Sequence, residues 1–275
     1  FTSCATEATS TALHACTELM PERREIITTT VEHPATLAVC EHLERQGYLV
    51  HRIAVNADGA LDMAQYRQAL SHRVAVVSVM WANNETGTLF PVLEMAQMAK
   101  DKGILFHTDA VQVVGKMPIN LASSAIDLLS FSGHKLHGPK GVGALYVRRG
   151  TRFRPLLRGG HQERGRRAGT ENSAGIIGLG MACELAELHM SMLEGPIRAA
   201  LQQIEQTLNA GEAFDPRQSR QQFRIAVTDY VELMCMPRLL GLLSGTGRPV
   251  KRFGPASGPR IPRPCRSRLR GMPPL

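Results

Sequence analysis

Lys135 stands in the string Ser132-Gly133-His134-Lys135, directly after the apolar run Asp127–Phe131. A lysine after a strand is usually a solvated surface residue. This chain holds only six lysines against 26 arginines, so lysine is not scattered along it for solubility. Gly133 lets the backbone come close to a ligand, and Lys135 could then be an imine-forming amine. Asp109 closes the string His107-Thr108-Asp109 after the run Ile104–His107. Such an aspartate is by default the cap of the next helix; its alternative role is to hold a proton on the nitrogen of a bound cationic ring. Asp109 and Lys135 follow two successive strand-like runs, a spacing that lets both face one ligand. Other polar strings occupy equivalent places: Cys4-Ala5-Thr6-Glu7, Glu32-His33, Ala82–Gly87 with Asn84, and Gln112. In open α/β sheets ligands bind outside the carboxyl ends of the strands, so these strings point to one shared site.

The elements that must position them alternate. Ile26–Val31, Tyr48–Ala54, Val74–Met80, Ile104–His107, Asp127–Phe131 and Gly143–Val147 read as strands. Phe1–Cys4 reads as the end of a strand entering a helix. Pro34–Gln46, Leu61–Leu70 and Val92–Lys102 carry helical patterns, the last with Val92, Met95, Ala96 and Ala99 on one face. Beyond the Arg- and Gly-rich stretch Arg148–Gly169, two helices are predicted, Asn172–Met190 and Ile197–Leu208. The fold class is α/β, a mostly parallel sheet covered on both faces. Past about Gly211 the pattern weakens, and Ile225–Tyr230 and Leu239–Leu243 take no clear place.

The 275 residues, 43% hydrophobic and 20% charged, exclude a disulfide miniprotein and a disordered chain. No apolar run is long enough to cross a bilayer and no signal peptide is read at the start, so a soluble, cytoplasmic protein is expected. The net charge of +8 suggests a polyanion partner until the charges are located. Residues 246–275 hold eight arginines and lysines, no acid and seven of the sixteen prolines, which leaves residues 1–245 electrically balanced. That tail is expected to be disordered, with the composition of a degenerate end; an Arg-rich arm for polyanions is the other reading. The six cysteines, at 4, 16, 40, 183, 235 and 265, show no metal spacing and read as reduced thiols.

Residues 1–210 resemble a pyridoxal-phosphate (PLP) cysteine desulfurase of the class V aminotransferase family, of the nitrogen-fixation (NifS) type. The strings that carry the likeness are FTSCATEAT, TTVEHPATL, SVMWANNETGTLFPV, FHTDAVQVVGK and SFSGHKLHGPKGVGALYVRRGTRFRPLLRGGHQERGRRAGTEN. The resemblance implies a fold-type I PLP-dependent transferase large domain with the small domain largely missing. Residues 1–190 would be the PLP-binding large domain, 191–245 a remnant of linker and small domain, and 246–275 the tail. It further implies that Lys135 holds PLP, that Asp109 keeps the ring nitrogen protonated, and that Gln112 bonds the ring oxygen. His33 would stack on the ring and move protons, although a histidine after a strand is more often structural. Ala5 and Thr6 at a helix start, with Ser132 and His134, would hold the phosphate. Thr170 would reach the phosphate of a second subunit, which implies a homodimer. Asn84 matches a residue near the cofactor and substrate carboxylate; on its own it reads as a turn asparagine.

By the same resemblance the substrate is L-cysteine, and the sulfur goes through an enzyme persulfide to an iron–sulfur scaffold protein, for iron–sulfur cluster assembly and nitrogen fixation. The match has gaps. The family's nucleophilic cysteine lies in a Ser/Gly-rich loop followed by an arginine, and neither Cys235 nor Cys265 has those surroundings. The family's N-terminal segment, with an asparagine-rich motif, is not found before Phe1. No catalytic cysteine is assigned, and a chain that binds PLP without completing sulfur transfer is expected. Selenocysteine lyase, another class V lyase, or a non-catalytic remnant with a polyanion-binding tail are the alternatives. Membrane and nucleic-acid partners are not expected.

Overall fold

The computed structural model describes residues 1–209, with the side chains of residues 1–190, 202 and 203. The unplaced segments near residues 225–243, Cys235, Cys265 and the tail 246–275 lie outside the described residues. Six strands form one sheet: β1 (Glu25–Thr29), β2 (Leu49–Ile53), β3 (Val74–Ser78), β4 (Leu105–Asp109), β5 (Leu128–Ser132) and β6 (Gly143–Val147). Their order is β2-β1-β3-β4-β5-β6. All neighbours are parallel except β5 and β6, whose register pairs Ser132 with Gly143. The expected mostly parallel α/β architecture is thus present; β1, β2 and β3 are shorter than their apolar runs, β4 runs on to Asp109, β5 is shifted by one residue and β6 matches.

Strand alternation sorts the core into two layers. On one face Ile26, Val76 and Leu128 pack against α1 (Ala5–Leu19) and α2 (Pro34–Arg45) through Ala12, Leu13, Cys16, Cys40 and Leu43. On the other, Ile27, Val77, Phe106 and Leu129 pack against α3 (Met63–Ala69) and α4 (Val92–Asp101) through Tyr66, Met95, Ala96 and Ala99. Every residue of β1 and β3 is buried, as expected of central strands covered twice. Local chemistry starts the helices: Asp62 accepts N–H groups from Ala64 and Gln65, and His33 accepts one from Ala35 ahead of Pro34.

After the short α5 (Gln162–Gly165), one helix, α6, runs Ser173–Asn209. The sequence predicts two helices there, broken at Gly195-Pro196. The correction has a simple cause: a helix can continue through proline at the loss of one backbone hydrogen bond. The boundary expected at residue 190 falls inside this helix. Leu179 and Ala182 of α6 dock on Leu136 and Val142, next to the turn that carries Lys135.

The start of α1 lies against the carboxyl end of the sheet. Thr2 and Gly143 exchange backbone hydrogen bonds of 2.9 and 2.8 Å. A Cβ on Gly143 would stand 2.8 Å from both the Cys4 carbonyl carbon and the Phe131 carbonyl oxygen, so only glycine lets α1 approach so closely. Gly143→Ala is expected to destabilise the protein by about 1–3 kcal/mol, the usual cost of overpacking. Gly180→Ala, in an exposed turn of α6 with nothing within 4 Å, should be neutral or mildly stabilising. Thermal melts of the two variants check the pair; equal melting would remove the close approach from the account.

Candidate active site

The chain leaves β1 for α2 on one face and leaves β3 for α4 on the other, so a crevice opens between the carboxyl ends of these two neighbours. Asp109 is the last residue of β4. It is 7% exposed; its Oδ1 accepts the Val111 N–H at 2.9 Å, and its Oδ2 has no hydrogen-bond partner among the described residues. Burial pushes this carboxyl above its ordinary range, while the Val111 N–H and the nearby His33 pull it back. A buried carboxylate with one idle oxygen suits a cationic N–H donor.

Lys135 sits in a 3-10 turn, Gly133–Leu136, that follows β5 directly. The turn closes with His137 in the left-handed region at φ 59°, a strained place for a non-glycine residue. The Lys135 side chain is exposed and makes no hydrogen bond or ion pair among the described residues. Beside it, Ser132 Oγ lies 2.9 Å from His134 Nδ1. Burial, then Lys135 and Lys140, hold His134 below the usual imidazole range. Gln112 is partly buried and its Oε1 accepts from Lys116 Nζ at 2.8 Å, which leaves its amide nitrogen as the free end. Partial burial of its amine and the charge of Lys135 hold Lys116 below the ordinary lysine range, so these two lysines are neighbours.

Ala5 and Thr6 open α1. Cys4 supplies no side-chain cap, and the N–H groups of Ala5, Thr6 and Glu7 have no partner among the described residues. Uncapped first-turn amides are an anion site by construction. Glu7 does not spoil it: Ser3 donates from its backbone N–H at 2.9 Å and Arg167 from Nε at 2.9 Å. These bonds outweigh burial and hold Glu7 below the usual carboxylate range. Thr6 and His33 line one cleft of about 460 Å³ between α1 and α2, with Ser10, His14 and His42 deeper along it. Because His33 Nδ1 accepts the Ala35 N–H at 3.1 Å, its Nε2 is the nitrogen available for other work.

Two expected residues stand apart from this group. Asn84 is partly buried in the loop after β3 and donates to Glu85 at 2.5 Å. Thr170 is exposed and lines a different recess, with Thr2, Ser3 and Arg167. His107, which the sequence sets among the polar strand ends, is instead core. It is fully buried, 2.8 Å from Ser78 Oγ and 2.8 Å from Ser130 Oγ, and burial lowers it to about 3, so it is neutral.

Sequence reasoning assigned no role to Glu32 or Asn83, yet both are buried in the crevice. Asn83 Nδ2 donates to the Val31 carbonyl at 3.1 Å, and its Oδ1 accepts from Glu85 and Thr86. Glu32 accepts the Met80 N–H on both oxygens, at 3.0 and 3.1 Å, and the Thr29 hydroxyl at 2.8 Å. A charged residue at the end of a wholly buried strand was the signal available for it.

The sequence and the fold both have known relatives. Residues 1–229 match the Aminotransferase class-V family. The chain is 67% identical over 211 residues to a cysteine desulfurase of Enterobacter agglomerans, covering 77% of this chain and 51% of that one. It is 60% identical over 205 residues to the cysteine desulfurase NifS of Azotobacter vinelandii, covering 74% and 51%. A solved structure titled NifS-like protein aligns with a TM-score of 0.69 at 40% identity, over 76% of this chain and 59% of the other. The chain spans about half the length of the curated relatives it matches.

Proposed function

The chain belongs to the aminotransferase class-V family, and from that premise we propose that residues 1–209 are the cofactor-binding unit of a PLP-dependent cysteine desulfurase. The observation that carries the reading is a lysine without a bonding partner among the described residues and a buried aspartate with one idle oxygen, each at the carboxyl end of one of two adjacent strands, β5 and β4. The donor set fits the cofactor: a carboxylate for the ring nitrogen, an amine for the aldehyde, and helix-start amides for the phosphate.

When bound, PLP supplies an electron sink for charge that develops at the substrate Cα. Asp109 Oδ2 holds the proton of the ring nitrogen, and the Gln112 amide donates to the ring oxygen. Thr6, Ser132, His134 and the N–H groups of Ala5 and Thr6 hold the phosphate. Lys135 would hold the aldehyde carbon, and its amine could move a proton at the substrate Cα. His33 covers the ring from α2, with Nε2 free to carry a proton. Asn84 orients the substrate carboxylate.

The proposed substrate is L-cysteine: a thiol takes its sulfur as persulfide, and a proton replaces the sulfur at Cβ to give L-alanine. Cys16 and Cys40 do not supply that thiolate, because both are buried and burial pushes their thiols up, Cys40 to about 12. Burial raises Cys183 as well. Cys4, partly exposed at the start of α1 where the phosphate is proposed to sit, is not assigned the role either, so an added thiol is taken as the acceptor in the test below. An iron–sulfur scaffold protein is the proposed final acceptor, in iron–sulfur cluster assembly and nitrogen fixation.

A cytoplasmic homodimer is proposed, with Thr170 reaching the partner's phosphate site. Its support is that Thr170 is exposed just before α6, whose Ile177, Met181 and Leu185 are exposed apolar residues in one stripe. Among the described residues no helix is long and apolar enough to cross a membrane.

The test is to load the protein with PLP, add L-cysteine with and without dithiothreitol, and quantify alanine and protein-bound persulfide. Alanine that requires PLP and the added thiol, with no persulfide on the chain, is the expected result. No alanine under any condition would remove the desulfurase reading.

A further inference from the structure

The ladder between β1 and β3 pairs Ile26 with Val76 and Ile27 with Val77, and then the two strands part for opposite faces of the sheet. Beyond that point backbone pairing no longer fixes their spacing, although His33 follows one strand and the loop against Asp109 follows the other. Side chains hold the gap. The Glu32 carboxyl reaches across from β1 to the Met80 N–H after β3, and the Thr29 hydroxyl steadies its Oε1. Asn83 makes the return link, from the β3 loop to the Val31 carbonyl. The next residue after Met80, Trp81, donates its backbone N–H to the Asp109 carbonyl at 2.9 Å. Thr29, Glu32, Met80, Trp81 and Asp109 thus form one continuous tie under the site.

We propose that Glu32 is a positioning residue whose carboxyl clasps β3 to β1 and so fixes His33 relative to Asp109. The clasp stands on the geometry alone; its effect on the cofactor rests on the PLP reading. A neutral Glu32 follows from its place. It is 5% exposed, and burial raises it to about 8, with the Asp109 charge adding to that rise and the Met80 and Thr29 bonds opposing it. Of the two buried carboxyls, Asp109 has His33 nearby to favour its charge, and Glu32 does not. The other titratable group facing Glu32 is Cys40 of α2, itself held protonated by burial. Met80, Thr29 and Asn83 carry no charge.

Trp81 is the chain's only tryptophan, next to the clasped Met80, and it reports on the clasp without cofactor. The experiment titrates Trp81 fluorescence of the full chain across pH, then measures PLP affinity from the absorbance band, for wild type, Glu32→Gln and Glu32→Ala. Expected for wild type is a reversible change centred near pH 8 as Glu32 ionises. Glu32→Gln, which keeps an acceptor for Met80 and Thr29, should lose that change and bind PLP about as wild type does. Glu32→Ala, which leaves the Met80 N–H unpaired, should bind PLP about 10-fold more weakly. A flat wild-type titration, a change that persists in Glu32→Gln, or equal PLP affinity in Glu32→Ala would each overturn the proposal. A wild-type change near pH 8 in a protein that binds no PLP would uphold the clasp and sink the cofactor reading.

Discussion

Lys135→Ala is expected to abolish the absorbance band that PLP acquires on this protein, while leaving the melting temperature of the cofactor-free chain close to wild type. The two halves of the expectation have different origins. The Lys135 side chain is exposed and bonds to nothing among the described residues, so truncating it removes no packing and leaves no buried group unsatisfied. Among the described residues of the proposed site, Lys135 carries the amine without a bonding partner, free to bond covalently to an aldehyde and shift its absorbance. Lys116, the nearby alternative, is already engaged with Gln112 at 2.8 Å. A band that survives in Lys135→Ala and disappears in a Lys116 variant would transfer the role to that lysine.

Asp109→Asn is expected to act in opposite directions on binding and on stability. The idle Oδ2 is proposed to meet a cationic N–H, and losing a hydrogen bond to a charged group reduces affinity by about 10- to 100-fold. Without cofactor the same carboxylate is a burden. Burial raises its folded pKa above the unfolded value, so the folded state binds the proton more tightly than the unfolded chain does. Stability then falls as pH climbs from the unfolded pKa through the folded one, and the loss is complete above it. At neutral pH asparagine removes that cost. Cofactor-free Asp109→Asn should melt at or above the wild-type temperature, yet bind PLP more weakly. A variant that melts lower and binds PLP normally would reverse the account of this residue.

Much of the frame was legible in the sequence because its signals are local. The β-branched and apolar runs gave all six strands, and the stripe Val92, Met95, Ala96 and Ala99 is buried as expected. Lys135, Asp109, Thr6 and His33 could be placed at strand or helix ends because polar residues interrupt the apolar pattern there. What the sequence hid depends on contacts far apart in the chain. Glu32 gains its meaning from Met80, and Gln112 is turned by Lys116. The glycine at 143 is required by Cys4, a residue far from it in the sequence at the start of α1. His107 deceived for a related reason: in the middle of β4, a polar residue can be sealed between two serines of the neighbouring strands. The join of the two predicted helices into α6 is a helix that continues through Gly195-Pro196 at the loss of a backbone hydrogen bond.

The central claim is that this chain holds PLP through Lys135. Incubating the purified full chain with PLP, reducing with borohydride and mapping the modified peptide tests it most directly. One stable adduct on the peptide that contains Lys135, at about one per chain and needing higher PLP concentrations after substitution of Asp109, is the predicted result. Adducts scattered over Lys100, Lys102, Lys116 and Lys140 in proportion to exposure, or no adduct at PLP concentrations that saturate ordinary sites, would contradict it.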